Sequence, residues 1–296
     1  MIERTLVFPG PVSPGHTLAP QRRGPGDPCF QIDEHRAIWR TSLQRSGAVT
    51  ARILRTAPDT VHCRAWGDGA AEFIENLPSL LGGDDDPTGF RPSHPVIAEA
   101  HKRVAHLRIG RTGRVLEALI PAIIEQRVQG VEAFRSWRLL VTQFGAPAPG
   151  PAPAGMRVPP SAEVWWRIPS WEFHRANVDP GRARTVVACA ARADTLERQT
   201  DRDALTALPG VGAWTAAETA QLAFGDADAL SVGDYHLCTM IGWTLLGEPI
   251  DDDAMVEMLE PMRPHRYRAV RLLEVSRLAR LPRRGPRLPR HRISSL

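Results

Sequence analysis

Apolar and polar side chains partly alternate in three short segments near the start of the chain, at residues 37–44, 49–55 and 61–66. Because successive side chains of a strand point to opposite faces, this alternation and the β-branched residues predict three strands. An apolar helical stretch follows at 70–81, and the Gly and Asp residues of 82–87 predict a linker. The pattern therefore predicts a small α+β domain over residues 1–90.

From residue 92 onward the apolar residues recur every three or four positions, as they do on the buried face of a helix. The clearest run extends from Val115 to Val128, with a kink predicted at Pro121. Residues 145–160 are rich in Pro, Ala and Gly, so we expect a solvated connector there. Further helices are predicted at 131–144, 162–167, 181–196, 203–207, 235–246, 252–260 and 266–280. The expected fold is mainly α, with a helical domain at 91–280 after the small sheet domain.

The charge pattern changes this picture only at the C-terminus. The formal net charge is +4, which suits a polyanionic partner without requiring one, and the only lysine among 37 Lys and Arg residues is Lys102. No acidic residue follows Glu274, and arginines alternate with prolines. Residues 281–296 are therefore predicted to form a basic, disordered tail, and contact with phosphates and simple solvation both remain open for it.

The cysteines and the apolar runs narrow the class of protein. None of the four cysteines has the close spacing typical of zinc or iron–sulfur ligands, so buried reduced thiols and no iron–sulfur cluster are expected of Cys29, Cys63, Cys189 and Cys238. No run of roughly 20 apolar residues and no signal-like start occurs. We expect a cytoplasmic protein associated with the nucleoid, and no membrane partner.

Two short segments carry the chemistry. The first is Leu208-Pro-Gly-Val-Gly212, where glycines allow a positive φ and a close approach of another backbone, so that N–H groups at the mouth of the next helix can face an anion. The second is the turn Ser231-Val-Gly-Asp-Tyr-His236, which presents a carboxylate after one intervening helix. Taken singly, the first is typical of a tight connection and the second of a helix N-cap.

In this order and spacing, the two segments resemble those of the helix-hairpin-helix (HhH-GPD) DNA glycosylases, in particular the AlkA-type 3-methyladenine glycosylases. The resemblance extends over about residues 92–280 and implies the helical fold of that family. It further implies that Asp234 is the catalytic carboxylate that stabilises positive charge developing on the sugar. In members that also cut the strand, a lysine stands where this chain has Trp214. The resemblance therefore implies hydrolysis by water and no lyase activity.

The resemblance also assigns a pocket for the flipped base. Its positions correspond to Trp214 and Tyr235, for which packing in the core is the alternative interpretation. Relatives carry aromatic residues where this chain has Glu218 and Glu274, and pairing with arginines is the alternative for both. Carboxylates in the pocket would favour a cationic base.

The remaining assignments concern DNA and an ion. The hairpin residues Gly210, Val211, Gly212 and Thr215 are expected to hold the DNA backbone, with His236 either at a phosphate or as a structural helix-start residue. Gln126 and Arg127 correspond to the pair inserted where the base has left, although Arg127 replaces an apolar wedge. The backbone carbonyls of Thr206, Leu208 and Val211 correspond to a monovalent cation site for sodium or potassium, and no other cofactor is expected.

The predicted function is a monofunctional DNA glycosylase that removes damaged, alkylated purines from duplex DNA by base flipping, acting as a monomer. Two alternatives stay open at this point. One is a DNA-structure-binding protein that has kept the hairpin and lost catalysis, as the altered Arg127, Glu218 and Glu274 positions allow. The other is a glycosylase for a different lesion, such as a deaminated purine.

Overall fold

The computed structural model describes residues 1–281. Its N-terminal part is a five-stranded antiparallel sheet in the order β1-β5-β4-β3-β2. One short helix precedes the second strand, and a longer helix follows the fifth. The bounds are β1 Ile2–Val7, α1 Pro14–Leu18, β2 Phe30–Ile32, β3 Ile38–Gln44, β4 Gly47–Ala57, β5 Thr60–Trp66 and α2 Ala70–Leu80.

The three strands and the helix predicted for this part are confirmed. The alternation in the strands was informative because one face of the sheet is buried. Ile53 of β4 pairs with Ile38 of β3 and with Cys63 of β5, and all three are buried under α2. The sequence pattern missed β1, which pairs along β5 at the edge of the sheet. Most of β1 is exposed on both faces, so it has no apolar side to reveal it.

The rest of the described chain is helical apart from one pair of two-residue strands. Its elements are α3 Pro95–Arg103, α4 Val115–Glu125, α5 Gly130–Phe144, β6 Ala146–Pro147, β7 Arg157–Val158, α6 Ala162–Arg167, α7 Ser170–Arg175, α8 Pro180–Ala190, α9 Ala193–Leu196, α10 Arg202–Leu205, α11 Ala213–Ala223, α12 Leu237–Leu245, α13 Asp252–Leu259 and α14 Arg266–Val275. The mainly helical fold with an N-terminal sheet is therefore confirmed. The domain limits at 90 and 280 stay predictions.

These helices form two cores with α11 between them. The first core gathers α4 to α8 around residues such as Leu119, Ile123 and Phe173. The second joins α3 to α12, α13 and α14. Helix α11 contributes Ala216 to the first core, while its Ala220 packs on Ala229 in the segment that leads to the second. The N-terminus of α11 therefore lies where the two halves of the helical part meet.

The connector at 145–160 is not simply solvated, which corrects the sequence prediction. Its ends pair as β6 and β7, and Met156 and Val158 are buried. The Arg157 N–H donates to the Pro28 carbonyl at 2.8 Å, and the Arg157 carbonyl accepts the Thr41 hydroxyl at 2.5 Å. A segment rich in Pro and Gly can pack in this way without forming a long element, because its bends bring a few apolar side chains onto the sheet.

Three predicted helices have different ends. The helix at 181–196 is interrupted after α8, since Arg192 leaves the helical conformation before α9 begins. Helix α4 ends at Glu125, because Gln126 is extended and Arg127 has a φ of +55°. Helix α14 ends at Val275, and Arg277 has a φ of +60°. The predicted basic tail at 281–296 lies outside the described residues except for Leu281.

Within residues 1–281, no helix is both long and apolar enough to cross a lipid bilayer. The same residues contain no group of three or more His, Cys, Asp or Glu side chains placed to hold a metal ion. Cys29, Cys63 and Cys189 are buried, Cys238 is half-buried, and all four are free thiols. Burial raises the pKa of the Cys63 thiol to about 12, so this side chain stays protonated and inert.

Candidate active site

The glycine hairpin forms a tight turn in which the Val211 N–H donates to the Leu208 carbonyl at 3.0 Å. Gly210 has a φ of +85°, and a Cβ there would lie 2.2 Å from the Thr185 hydroxyl oxygen, so both conformation and space require glycine. Gly212 is the N-cap of α11, and a Cβ at this position would have no neighbouring atom within 4 Å. Protein atoms therefore fill the space next to Gly210, whereas the space next to Gly212 is free for a ligand.

The first turn of α11 faces that open side. Gly212 makes no side-chain cap hydrogen bond, and Gly212 and Ala213 are exposed. Unpaired N–H groups and the helix dipole together favour a negative charge at this position. The arrangement suits a phosphate oxygen of a nucleic-acid backbone.

Asp234 lies in the turn before α12, directly after Gly233, which has a φ of +86°. Its Oδ1 accepts the backbone N–H groups of His236 and Leu237 at 2.8 and 2.9 Å. Its Oδ2 accepts the indole N–H of Trp214 at 3.2 Å. Asp234 therefore caps α12 and is also held beside the first turn of α11, so that a carboxylate lies next to the expected phosphate grip.

Trp214 is half-buried, and its indole N–H helps to hold the Asp234 carboxylate. The indole N–H fixes the direction of the Oδ2 oxygen across the gap between α11 and the Asp234 turn. The sequence analysis anticipated a pocket aromatic at this position but not the hydrogen bond. A lysine side chain placed here would reach the same carboxylate, whereas an indole provides no amine nucleophile.

Gln126 closes the other side of the hairpin. Its Nε2 amide donates to the Gly210 carbonyl at 2.9 Å and to the Thr215 hydroxyl at 2.8 Å. Thr215 is only 2% exposed, and its hydroxyl accepts the Gln126 amide, so its assignment as a DNA contact stays a prediction. Arg127 is exposed and has a positive φ, a conformation that costs a residue with a Cβ about 1–2 kcal/mol. The end of α4 therefore projects an arginine beside the hairpin.

Glu218 lies one turn after Trp214 on the same face of α11. Its Oε1 accepts the Ser231 hydroxyl at 2.5 Å, and the Ser231 oxygen in turn accepts the Gln221 amide at 2.8 Å. Burial, helped by the nearby Glu125 and Asp234, raises the pKa of Glu218 to about 7, although the Ser231 hydrogen bond and Arg23 act in the opposite direction. A carboxyl group whose charge is disfavoured in this way is typical of a functional site.

Helix α14 also contributes to this site. Its residues Tyr267, Arg271 and Glu274 share one side of the helix, because they are spaced by four and three positions. Tyr267 is buried, and burial raises the pKa of its hydroxyl. Arg271 forms an ion pair with Glu274, which is exposed. The charge of Glu274 is thus compensated, in agreement with the alternative interpretation. The sequence analysis named Glu274 but missed the other two, although the helical spacing from Glu274 would have identified them.

The N-terminal part also contributes to this region. Arg23, in the loop between α1 and β2, forms an ion pair at 3.0 Å with Glu125 at the end of α4. Both side chains are largely buried, and both act electrostatically on Glu218. Neither was identified from the sequence, because a contact between residues a hundred positions apart leaves no local pattern.

Three further predicted assignments concern Tyr235, His236 and the cation ligands. Tyr235 is 78% exposed and lies edge-on to His236 with ring centroids 4.6 Å apart, so it does not line an enclosed pocket. His236 is exposed at the start of α12, on the same turn as Asp234. Of the three predicted cation ligands, the Leu208 carbonyl already accepts the Val211 N–H. The cation site stays a prediction.

A cavity of about 470 Å³ lies elsewhere, between the sheet and the helical part, where Arg114, Glu117, Trp137 and Trp165 line it. Neither Asp234 nor Glu218 belongs to its lining. The region between α11, the Asp234 turn and α14 is called the cleft below, and Gly212, Ala213 and Tyr235 there are exposed.

No protein-family model matches the sequence, and no curated protein matches it. Solved structures do. A 3-methyladenine DNA glycosylase from Archaeoglobus fulgidus superposes with a TM-score of 0.77 at 17% identity, over 93% of this chain and 98% of that one. The chain has the fold of the DNA glycosylases. This confirms the fold that the two sequence segments implied.

Two other solved structures extend the comparison. MBOgg1 in complex with a low-affinity DNA ligand has a TM-score of 0.71 at 14% identity, over 93% of this chain and 94% of that one. The 8-oxoguanine glycosylase/lyase of Clostridium acetobutylicum has a TM-score of 0.67 at 12% identity, over 93% and 96%. The shared architecture includes the N-terminal sheet as well as the helical part, since the coverage of each chain is nearly complete.

Proposed function

We propose that this protein is a monofunctional DNA glycosylase that hydrolyses the N-glycosidic bond of damaged, alkylated purines in duplex DNA. The observation that carries the proposal is the position of Asp234. Its carboxylate is held by three donors beside the open N-terminus of α11. The likeness to solved DNA glycosylases in fold supports the same conclusion.

The proposed reaction follows from this geometry. A phosphate bound at Gly212 and the first turn of α11 brings the adjoining sugar next to Asp234. As the bond to the base breaks, positive charge develops on the sugar, and the fixed carboxylate stabilises it. Water then adds to the sugar carbon. An alkylated purine is already cationic and departs as a neutral base, so Asp234 alone accounts for its release.

The proposal gives the end of α4 a role in opening the duplex. Arg127 projects from a strained position beside the hairpin, and Gln126 ties this position to the Gly210 carbonyl. A planar guanidinium can stack on the bases that flank an extruded nucleotide. An apolar wedge is therefore not required for this step.

The proposal excludes strand cleavage by a Schiff base. Trp214 occupies the position of the required amine, and the only lysine, Lys102, lies on α3. Abasic DNA treated with borohydride should therefore give no covalent adduct with the protein. A trapped adduct above the level seen with bovine serum albumin would contradict the monofunctional assignment.

The decisive test uses duplexes that each contain one defined lesion, with release of free base as the readout. The wild-type protein should release 7-methylguanine and 3-methyladenine, and Asp234→Asn should reduce release by about 10³-fold or more. Asparagine caps a helix as well as aspartate does, so the fold should persist. Asp251→Asn is the matched control, because Asp251 caps α13 in the same way.

Two results would overturn the proposal. Release that persists in Asp234→Asn would remove the carboxylate from the reaction. Binding of abasic-site DNA without release of any base by the wild type would favour the alternative of a DNA-structure-binding protein.

A further inference from the structure

Two carboxyl groups of the cleft are held in opposite ways. Asp234 accepts hydrogen bonds from three N–H donors. Glu218 accepts one, from the Ser231 hydroxyl, and within residues 1–281 it forms no ion pair with an arginine. Trp214 links the two, because it lies one turn from Glu218 on α11 and donates to Asp234. Pairs of carboxyl groups in unequal surroundings are typical of acid and base roles in one reaction.

The charges around Glu218 come from every side of the cleft. Glu125 of α4 and Asp234 of the catalytic turn disfavour its ionisation, as does burial, and Arg23 favours it. Tyr267 is buried against the same space and is influenced by Glu218. Of the charged groups on α14, Arg271 and Glu274 form an ion pair with each other. Arg266 and Arg268 form ion pairs with Asp228 and Asp85.

A chain of hydrogen bonds ends at Glu218. The Gln221 amide donates both to the Ala229 carbonyl and to the Ser231 oxygen, each at 2.8 Å. The Ser231 hydroxyl donates to Oε1 of Glu218 at 2.5 Å. Oε2 receives no hydrogen bond from the described residues, so it is the oxygen available to carry the exchangeable proton.

We propose that Glu218 is the proton donor to the departing base, which extends the proposed glycosylase activity to neutral damaged purines such as deaminated or etheno-bridged ones. This inference rests on the proposed function. A neutral purine leaves with the electron pair of the glycosidic bond and needs a proton, whereas a cationic alkylated purine needs none. Asp234 cannot serve in that role, because its oxygens are engaged by donors and stabilise the sugar.

The bond between the sugar carbon and the purine nitrogen breaks, and its electron pair goes to the base. A ring nitrogen of the base takes the proton from Oε2 of Glu218. Water adds to the sugar carbon and loses a proton to solvent, and the Glu218 carboxylate regains its proton from solvent before the next turnover.

The protonation state of Glu218 sets the expected pH dependence. The acid form is the donor, so release of neutral bases should fall as pH rises through about 7, the pKa to which burial raises this group. Release of cationic bases should not show this fall, because the carboxylate form complements a positive ring. The ratio of the two activities therefore decreases with pH.

The test compares hypoxanthine and ethenoadenine with 7-methylguanine in otherwise identical duplexes, from about pH 5.5 to pH 8.5, with correction for uncatalysed loss. Glu218→Gln should lower the ratio of neutral to cationic release by about 10²-fold, the lower end of the range for a general acid, and abolish its pH dependence. Glu257→Gln, an exposed residue on α13, is the matched control.

A second variant keeps the test decisive if Glu218→Gln folds poorly. Ser231→Ala removes the hydrogen bond that lowers the pKa of Glu218, so the fall in neutral-base release should move to higher pH. A residue that only supports the fold would not shift this profile.

The outcomes separate this inference from the proposed function. If the wild type releases cationic bases but no neutral purine at any pH, or if Glu218→Gln leaves the ratio unchanged, Glu218 is not the proton donor and the glycosylase assignment stands. If no base of either kind is released, the proposed function fails, and the inference with it.

Discussion

Two buried carboxyl groups, that of Asp85 in the segment after α2 and that of Glu218 on α11, show what separates a structural charge from a reactive one. Asp85 is 5% exposed, and both of its oxygens contact the guanidinium of Arg268, which is 2% exposed. The Ile109 N–H adds a third donor at 3.0 Å. Glu218 has one hydroxyl donor, no arginine ion pair within residues 1–281, and two other carboxylates acting on it.

The difference lies in the partners that surround each carboxyl group. The guanidinium of Arg268 and the Ile109 N–H both contact the Asp85 carboxylate, which ties the segment after α2 to α14. Burial and the nearby negative charges disfavour the ionised form of Glu218, so a proton is held and released near neutral pH. In a chain with 37 Lys and Arg residues, the lack of an arginine ion pair at Glu218 within residues 1–281 distinguishes the cleft from the buried pairs.

The largest expected effect comes from breaking the structural pair. Arg268→Met removes the guanidinium and leaves the Asp85 carboxylate buried without its partner, which should lower the free energy of unfolding by about 3–5 kcal/mol. Urea denaturation at pH 7 measures this. Arg103→Met is the control, because its pair with Glu99 is half exposed and should contribute less than about 1 kcal/mol. Equal losses in the two variants would show that Asp85 is not held as described.

The opposite sign is expected at Glu218. Its pKa is raised from 4.5 to about 7 in the folded protein, so the stability that its protonated form contributes is complete below pH 4.5 and is lost as pH rises through 7. A shift of this size corresponds to about 3 kcal/mol. Glu218→Gln lacks this loss and should be more stable than the wild type at pH 8, by up to that amount.

The measurement is the difference in urea midpoint between Glu218→Gln and the wild type at pH 5 and at pH 8. The difference should grow with pH for Glu218→Gln and stay flat for the exposed Glu257→Gln. A Gln variant that is less stable than the wild type at pH 8 would mean that Glu218 is a structural carboxylate like Asp85.

The same contrast explains what the sequence could and could not predict. The hairpin at Gly210 and the turn at Asp234 were identifiable because each carries its chemistry in a few adjacent residues. The strands with a buried face were predictable for the same reason, whereas the exposed β1 was not. A pattern in adjacent residues therefore predicts the structure of those residues only.

The environment of Glu218 depends instead on residues from distant parts of the chain. Arg23 and Tyr267 reach it from opposite ends of the described chain, and the Ser231 contact crosses from the loop after α11. No spacing in the sequence encodes these contacts. The resemblance also assigned Tyr235 to the pocket, and its exposed ring shows that a position in a motif does not specify burial.

The two hairpin glycines also differ in their surroundings: Gly210 packs against Thr185, whereas the space next to Gly212 is empty. In Gly210→Ala the new Cβ would lie 2.2 Å from the Thr185 oxygen and the residue would keep a positive φ, so the free energy of unfolding should fall by about 2 kcal/mol.

In Gly212→Ala the new Cβ has open space around it, so the free energy of unfolding should change by less than about 1 kcal/mol. Binding to abasic-site DNA should nevertheless weaken in Gly212→Ala, because the Cβ occupies the approach to the N–H groups of α11. Unchanged DNA binding would place the phosphate elsewhere.

The smallest expected effect concerns Asp234, whose carboxylate is held by several donors, as that of Asp85 is. The test is whether the Trp214 hydrogen bond to Asp234 contributes to catalysis or to stability. Trp214→Phe removes the N–H that holds Oδ2 and keeps the two backbone bonds that cap α12. Release of 7-methylguanine should slow by about tenfold, which corresponds to about 1.4 kcal/mol, with little change in unfolding or in binding to abasic-site DNA. Trp171→Phe, an exposed residue of α7, is the control. A loss of stability equal to the loss of rate would make the indole a structural donor, and an unchanged rate would mean that the two N–H groups of α12 suffice to orient the carboxylate.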